Sequence, residues 1–344
     1  MGAAAARRPP PSPKDTQLHV NDQHPGRHPR RTAGRPGGRR HRSATGTPRR
    51  RRGGLNTPRL LWLTVPSLLW FAVFSVGPLA AMFVIATLRW KGLLYDPSYV
   101  GTQNIRHVFA DPVFHDALRN SAVQVAVVIP VMIPLAFMLG YHLSTRPRGY
   151  RVLSVLYFSP GLISISITGM IFYGVLSPDG GANGLLHLAG LDALAHSWLA
   201  DPSTALPSLI AIDLWRGIGW TAVLFAARLS SVPAEVVEAA RIDGAGRFRI
   251  MWQITFPMVK DYVRTLTMLQ FLWTLFTSAA LILLLTKGGP GTSSTTLSYL
   301  VYEKAFGQSD LGYSQVVGVV LLLIGVAGML LIRALLRSPL EKIR

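Results

Sequence analysis

The sequence has no cysteine, few acidic side chains and little charge of either sign in its long apolar runs. Without cysteine in 344 residues, disulfide frameworks, thiolate metal sites and cysteine nucleophiles are excluded. Charged residues make up 15% of the chain, against about 25% in ordinary soluble domains, and with 49% hydrophobic residues this points to an all-α membrane protein. A G-x-x-x-x-G-K-[ST] phosphate loop is missing: "GGPGTSS" at Gly288–Ser294 has no Lys and follows no parallel strand, so the chain is not expected to be an enzyme that hydrolyses ATP. The paired carboxylates or histidine clusters of a membrane enzyme do not stand at the span ends. Nor does an internal repeat suggest an ion-coupled secondary transporter, the rival function. No apolar h-region with a small-residue cleavage site lies near Met1, so no cleaved signal peptide is expected.

What is abundant is positive charge, 35 Lys and Arg against 16 Asp and Glu. The first 59 residues hold 15 of those bases against Asp15 and Asp22, a net of +13 that leaves +6 for the other 285 residues. Residues 1–59 lack aromatics and apolar periodicity, so they cannot bury enough surface to offset ordering entropy, and a disordered basic tail on the cytoplasmic side is expected. Contact with anionic lipid suits that tail better than a nucleic-acid partner does. His24 and His28 have metal-like spacing, but a lone pair in such a segment defines no metal site.

Residues 60–344 contain six apolar windows long enough for the ~20 residues that a helix needs to cross a bilayer. They run over residues 60–88, 122–143, 153–176, 206–229, 266–285 and 316–336, with Pro66 and Gly77-Pro78 as kinks in the first and Pro130 and Pro134 in the second. Lys and Arg are retained on the cytoplasmic side of short loops. The loop "STRPRGYR" between windows two and three is basic and acid-free, whereas the loop between three and four has Asp179, Asp192 and Asp201 and no base. Both termini and the loop 230–264 between windows four and five are therefore expected in the cytoplasm.

That loop, "EAARIDGAGRFRIMWQITFPMV" at Glu238–Val259, is long and not disordered in composition. Pro233 suits a first turn, "AEVVEAAR" uses good helix formers, and Asp243-Gly244 supplies a stop, so a short helix, a turn and a second helix from about Gly246 to Pro257 are expected. Small Ala239, Ala240 and Ala245, with Ile242, lie beside Glu238, Arg241 and Asp243. They suit a plug for a groove on a partner; an amphipathic interfacial helix, which Arg247 and Arg249 favour, stands beside that possibility.

"EAARIDGA" with Phe248, Ile254 and Pro257 downstream closely resembles the EAA signature of permease subunits of binding-protein-dependent ABC importers, of the carbohydrate, maltose-transporter-like type. "YVGTQNIRHVFADPVFHDALRNS" at Tyr99–Ser121 and "LTKGGPGTSSTTLSYLVYEKAF" at Leu285–Phe306 resemble two further stretches of the same family, the second as in the first of its two permease partners. The resemblance implies six transmembrane helices in a bacterial plasma membrane. It implies as partners a second permease forming a heterodimer, two ATP-binding subunits that hold ATP and Mg, and an extracytoplasmic sugar-binding protein. No cofactor is bound by this chain itself. By position, Glu238 is the acidic contact to the ATPase, Ala239 and Ala240 pack in its cleft, Asp243 braces the turn, and Gly244 permits it; Ala245, Phe248 and Pro257 complete the motif. The cargo implied is a sugar, with glycerol phosphate or a polyol as the alternative.

Polar groups inside spans are costly and mark candidate substrate paths. Here they are Gln124, Tyr173, Asp213, Arg216, Gln270 and Trp273, with Trp215 and Trp220 as stacking surfaces for a sugar ring. Asp213 and Arg216, three residues apart on one helical face, are equally able to neutralise each other, and Trp and Tyr near span ends also serve as interface anchors.

Overall fold

The computed structural model describes residues 57–92 and 94–336; the tail to Asn56, His24, His28 and residues 337–344 lie outside them. Thr57–Arg59, expected in the tail, already belong to the first helix. α1 (Thr57–Phe71) continues through a π-helical turn, Ala72–Val76, into α2 (Gly77–Ile85). A two-residue antiparallel ladder follows, β1 (Leu88–Arg89) on β2 (Ser98–Tyr99) with Leu88 opposite Tyr99, a small exception to the all-helical expectation. The Asn104 side chain ties it down, donating to the carbonyls of Ala86 at 2.9 Å and Leu88 at 2.8 Å.

α3 (Gln103–Ala110) leads into α4 (Pro112–Ser144). Asp111 caps α4, accepting from the Val113 N–H at 2.8 Å, and Pro112 fills a first-turn position where its missing N–H costs nothing. Pro130 and Pro134 sit inside α4 without ending it.

Five stretches are long and apolar enough to cross a membrane: Thr64–Ile85, α4, α8 (Ala205–Leu229), α12 (Lys260–Leu285) and α14 (Leu311–Leu335). The expected third span, 153–176, is not one helix. It is α5 (Tyr150–Leu162) and α6 (Ile165–Val175), bent by 94° at the break. Pro160 lies in the last turns of α5, Ile163 is extended, and Ser164 caps α6 by accepting from the Ile167 N–H at 3.3 Å. Hydropathy does not register a break whose residues are all apolar or small.

α7 (Gly181–Leu188) lies between α6 and α8. After α8 come α9 (Ala234–Ile242), α10 (Arg247–Arg249), a π-helical segment Ile250–Thr255, α11 (Phe256–Met258) and α12. α13 (Leu297–Tyr302) and a π turn at Glu303–Gly307 precede α14. One apolar cluster joins Val108, Phe114, Phe271, Leu297, Tyr313 and Val317. A second, at the other end of the spans, joins Ile133 and Phe137 of α4, Phe225 and Leu229 of α8, Met251, and Val263 of α12.

α8 packs against α4 and against α5. Its approach to α5 leaves no room for a side chain at Gly219: an added Cβ would fall inside the Tyr157 carbonyl, a backbone group that cannot swing away. Small residues permit such helix contacts in a bilayer, where packing rather than hydrophobic burial holds helices together. Gly219→Ala is therefore expected to push α5 off α8 and lower the melting temperature of the detergent-solubilised protein by several degrees, whereas alanine at Gly184, with nothing within 4 Å, should leave it unchanged.

Candidate functional site

The first candidate surface is the turn after α9. Gly244 is in the left-handed region, φ +77°. The N–H of Ala245 bonds to the Ala240 carbonyl at 2.9 Å and that of Gly244 to Arg241 at 3.0 Å, the paired closure of a glycine-terminated helix. A Cβ at Gly244 would meet nothing within 4 Å, so the backbone angle requires glycine here, not crowding. Asp243, expected to brace the turn, sits at the helix end with its side chain exposed; the main chain closes the turn instead.

Glu238 and Ala239 are exposed. Ala240 is not: it is 8% exposed and faces the chain's own interior. It anchors α9 and is not available to a partner's cleft. The apolar knob of this surface is Ile242 at 86% and Phe248 at 69% exposure, flanking the partly covered Ala245. Pro257, in α11, is exposed.

From Phe248 a train of rings leads inward. Phe248 lies 6.2 Å from Trp252, which lies 5.4 Å from Phe137 and 5.3 Å from Phe256. Phe137 meets Phe256 at 5.2 Å and Phe225 of α8 at 5.6 Å, both edge on. Phe137 and Phe225 are fully buried. The rings form a continuous chain of contacts from the turn to α4 and α8.

The second candidate is a cavity of about 370 Å³. α8 lines it with Asp213, Arg216, Gly217, Trp220, Thr221 and Leu224, and α12 with Leu266, Leu269, Gln270 and Trp273; Gly161 of α5 completes it. On both helices the spacing is three or four residues, one face each. A smaller cavity of about 220 Å³ shares Asp213, Arg216 and Trp273 and adds Gln124, Thr274, Thr277 and Ser278. The shared residues make the two cavities adjoining chambers.

Arg216 is held by the break in the third span. Its Nη2 donates to the carbonyl of Ile163 at 3.2 Å, a helix-end acceptor that the bend leaves without an intrahelical partner. Asp213 and Arg216, whose spacing also allowed them to neutralise each other, form no salt bridge among the described residues. Asp213 Oδ2 and Arg216 Nε are buried without a hydrogen-bond partner among the described residues. Gln270 donates to Thr274 at 3.4 Å, and Trp220 stacks on Phe158 at 4.8 Å.

The other candidates lie elsewhere. Trp215 points toward α6, edge on to Phe172 at 5.2 Å, and lines neither chamber. Tyr173 lines a separate cavity with Ser177, Leu199 and Pro290. α8 is apolar on several sides, so its sequence does not reveal which tryptophan faces inward. Thr221 and Gly161 carried no signal that periodicity could detect. Near the start of α8, outside the spans, the Ser203 hydroxyl and N–H hold the Asp201 carboxyl below its ordinary range.

A model of the family described as binding-protein-dependent transport system inner membrane component matches residues 132–339. The chain is 34% identical over 289 residues to the diacetylchitobiose uptake system permease protein NgcF of Streptomyces coelicolor, covering 80% of this chain and 82% of that one. It is 31% identical over 268 residues to the probable ABC transporter permease protein YurN of Bacillus subtilis, 76% and 90% of the two chains. With the lactose transport system permease protein LacF of Rhizobium radiobacter it shares 30% over 258 residues, 71% and 83%. A chain of the bacterial alginate ABC transporter, solved in complex with an alginate pentasaccharide-bound periplasmic protein, superposes with a TM-score of 0.71 over 81% of this chain and 94% of its own at 21% identity; that likeness shows the fold.

Proposed function

The chain belongs to the family of binding-protein-dependent transport system inner membrane components, and on that premise we propose that it is the multi-pass permease of an ATP-driven saccharide importer, docking on an ATPase through the turn at Gly244. Both termini and the turn lie in the cytoplasm. A second permease completes the path, two ATP-binding subunits supply the energy of ATP hydrolysis, and an extracytoplasmic binding protein delivers the sugar.

The observation that carries this function is the continuity of α8: one helix is gripped by the ring train at Phe225 and lines both chambers at Asp213 and Arg216. A push on the docking turn therefore reaches the cavity without passing through a loop. Exposed Glu238 sets register on a basic partner surface, and Ile242 and Phe248 fill its apolar groove. In the chambers, Asp213 accepts sugar hydroxyls, Arg216 and Gln270 donate, and Trp220 and Trp273 flank the apolar faces of the ring.

The cargo class is supported by relatives named for diacetylchitobiose and lactose uptake, and by a cavity at the small end of the usual ligand-pocket range, about 300–1,000 Å³. Glycerol phosphate fits less well, because the unpaired carboxylate of Asp213 repels an anion drawn to Arg216.

The test is purification of the tagged chain with its associated subunits from its native membrane, then uptake into proteoliposomes. Labelled disaccharide supplied outside with the binding protein is expected to accumulate in proteoliposomes loaded with ATP, the compartment that the docking turn faces, and not with an ion gradient alone. Purification without an ATPase, together with ion-driven uptake, would overturn the importer reading.

A further inference from the structure

Between the docking turn and α12 the chain is π-helical over Ile250–Thr255, and two of the buried polar atoms left without partners among the described residues, Trp252 Nε1 and Thr255 Oγ1, belong to these six residues. π turns are rare and hold one residue more than the α-helical count; buried donors are seldom left orphaned. In a regular α-helix a threonine hydroxyl donates to the carbonyl four residues back, as Thr168, Thr265, Thr267 and Thr277 each do in this chain, at 3.0, 3.0, 2.8 and 2.7 Å. For Thr255 that acceptor is the Met251 carbonyl. Here that carbonyl accepts in the π register from the N–H of Phe256, five residues on, and the Thr255 hydroxyl has no partner among the described residues.

We propose that Thr255 is a positioning residue of the docking loop: Ile250–Thr255 is a two-state segment, π-helical in this structure and α-helical in a second state, and the Thr255 hydroxyl gains its partner only in the second. Removing one residue from a helical register turns everything before it by about 100° and moves it about 1.5 Å along the axis. The part that turns is the loop bearing Glu238, Ile242 and Phe248. The part that stays is α11, whose Phe256 packs edge on against the buried Phe137 of α4. Trp252, the ring between Phe248 and Phe137, lies inside the segment, so conversion changes how the docking surface grips α4 and α8. The stored cost of the orphaned hydroxyl opposes the π state and keeps the two states close enough in free energy to interconvert.

The switch rests on the importer function proposed above, and the two fail separately. The chain has no cysteine, so spin labels placed through Arg247→Cys on the loop and Thr145→Cys at the exposed end of α4 report on the complete importer once any cysteines of the partner subunits are replaced. Two inter-label distances are expected, exchanging when a non-hydrolysable ATP analogue is added. Thr255→Val keeps the shape, removes the hydroxyl, and is expected to favour the π state by roughly tenfold in the population ratio, with more ATP consumed per sugar imported. Thr255→Ser, which keeps the hydroxyl, is expected to match wild type in both readouts. A single distance that ignores nucleotide, or a Thr255→Val importer indistinguishable from wild type, overturns the switch while the ATPase still co-purifies and the importer function stands. Absence of an ATPase from the wild-type preparation overturns the importer function itself.

Discussion

Glu238→Lys is expected to strip the ATPase from the purified assembly, weakening their association by about a hundredfold, while the permease keeps its melting temperature. The separation of the two effects follows from where the side chain lies. Glu238 is exposed on α9 and makes no hydrogen bond or ion pair among the described residues, so reversing its charge removes nothing that holds the chain together. What it changes is the field at the docking surface. A like-charge contact introduced at an interface costs several kcal/mol, and about 2.7 kcal/mol corresponds to a factor of one hundred.

Ala240→Glu provides the contrast. Ala240 is 8% exposed and faces inward, so a carboxylate there is expected to unseat α9 and lower the melting temperature as well as the association. Pull-down of the ATPase and a thermal melt on the same preparations distinguish them. Retention of the ATPase by Glu238→Lys would mean that α9 is not the docking element.

Arg216→Leu is expected to reduce uptake by at least about a hundredfold and to destabilise the chain, leaving the ATPase bound. Two losses add. The guanidinium holds the Ile163 carbonyl at 3.2 Å and so secures the bend between α5 and α6. It is also the cation nearest in sequence to the Asp213 carboxylate, whose Oδ2 is buried and unpaired; removing the guanidinium takes away the positive charge that offsets that carboxylate and adds to the loss of stability.

The double variant Asp213→Asn with Arg216→Leu is expected to recover much of the stability and none of the uptake, because the stranded charge is gone but so are the groups that bind sugar hydroxyls. Arg216→Lys is expected to rescue little, since an ammonium lacks the fork that reaches Ile163 while facing the cavity. Uptake that survives Arg216→Leu would place the sugar path away from these chambers. Uptake restored in the double variant would reduce the pair to a structural role.

Some of this was legible before any coordinates. The lengths of the apolar windows announced the spans, because the bilayer sets a minimum length and a helix has a fixed rise per residue. Asp243-Gly244 after a run of helix formers announced the turn that closes α9, and its backbone takes the left-handed angle that only glycine adopts freely. The charged residues in the fourth window marked α8 as a candidate cavity-lining helix, and Asp213 and Arg216 line the two chambers.

Other features were harder to read. The third window is apolar enough to pass as one span, and hydropathy gives no weight to Pro160-Gly161 and the capping Ser164, which accompany the 94° bend that supplies Arg216 with its acceptor. Trp215 and Trp220 are equivalent in composition, and only the packing of α5, α6 and α12 around α8 turns one toward Phe172 and the other toward the cavity. Ala240 looked like part of the docking face, yet the contact of α9 with the segment that follows it buries that side.

The sequence by itself determined what depends on neighbours along the chain: the number and length of apolar windows, the stop at Gly244, and the absence of any phosphate loop or thiol chemistry. Only the tertiary structure decided what depends on neighbours across space. Asp213 and Gln270 are 57 residues apart, and Phe137 and Trp252 are 115 apart; each pair meets because helix packing selects one face of each helix, a choice that a helix apolar on most sides leaves open.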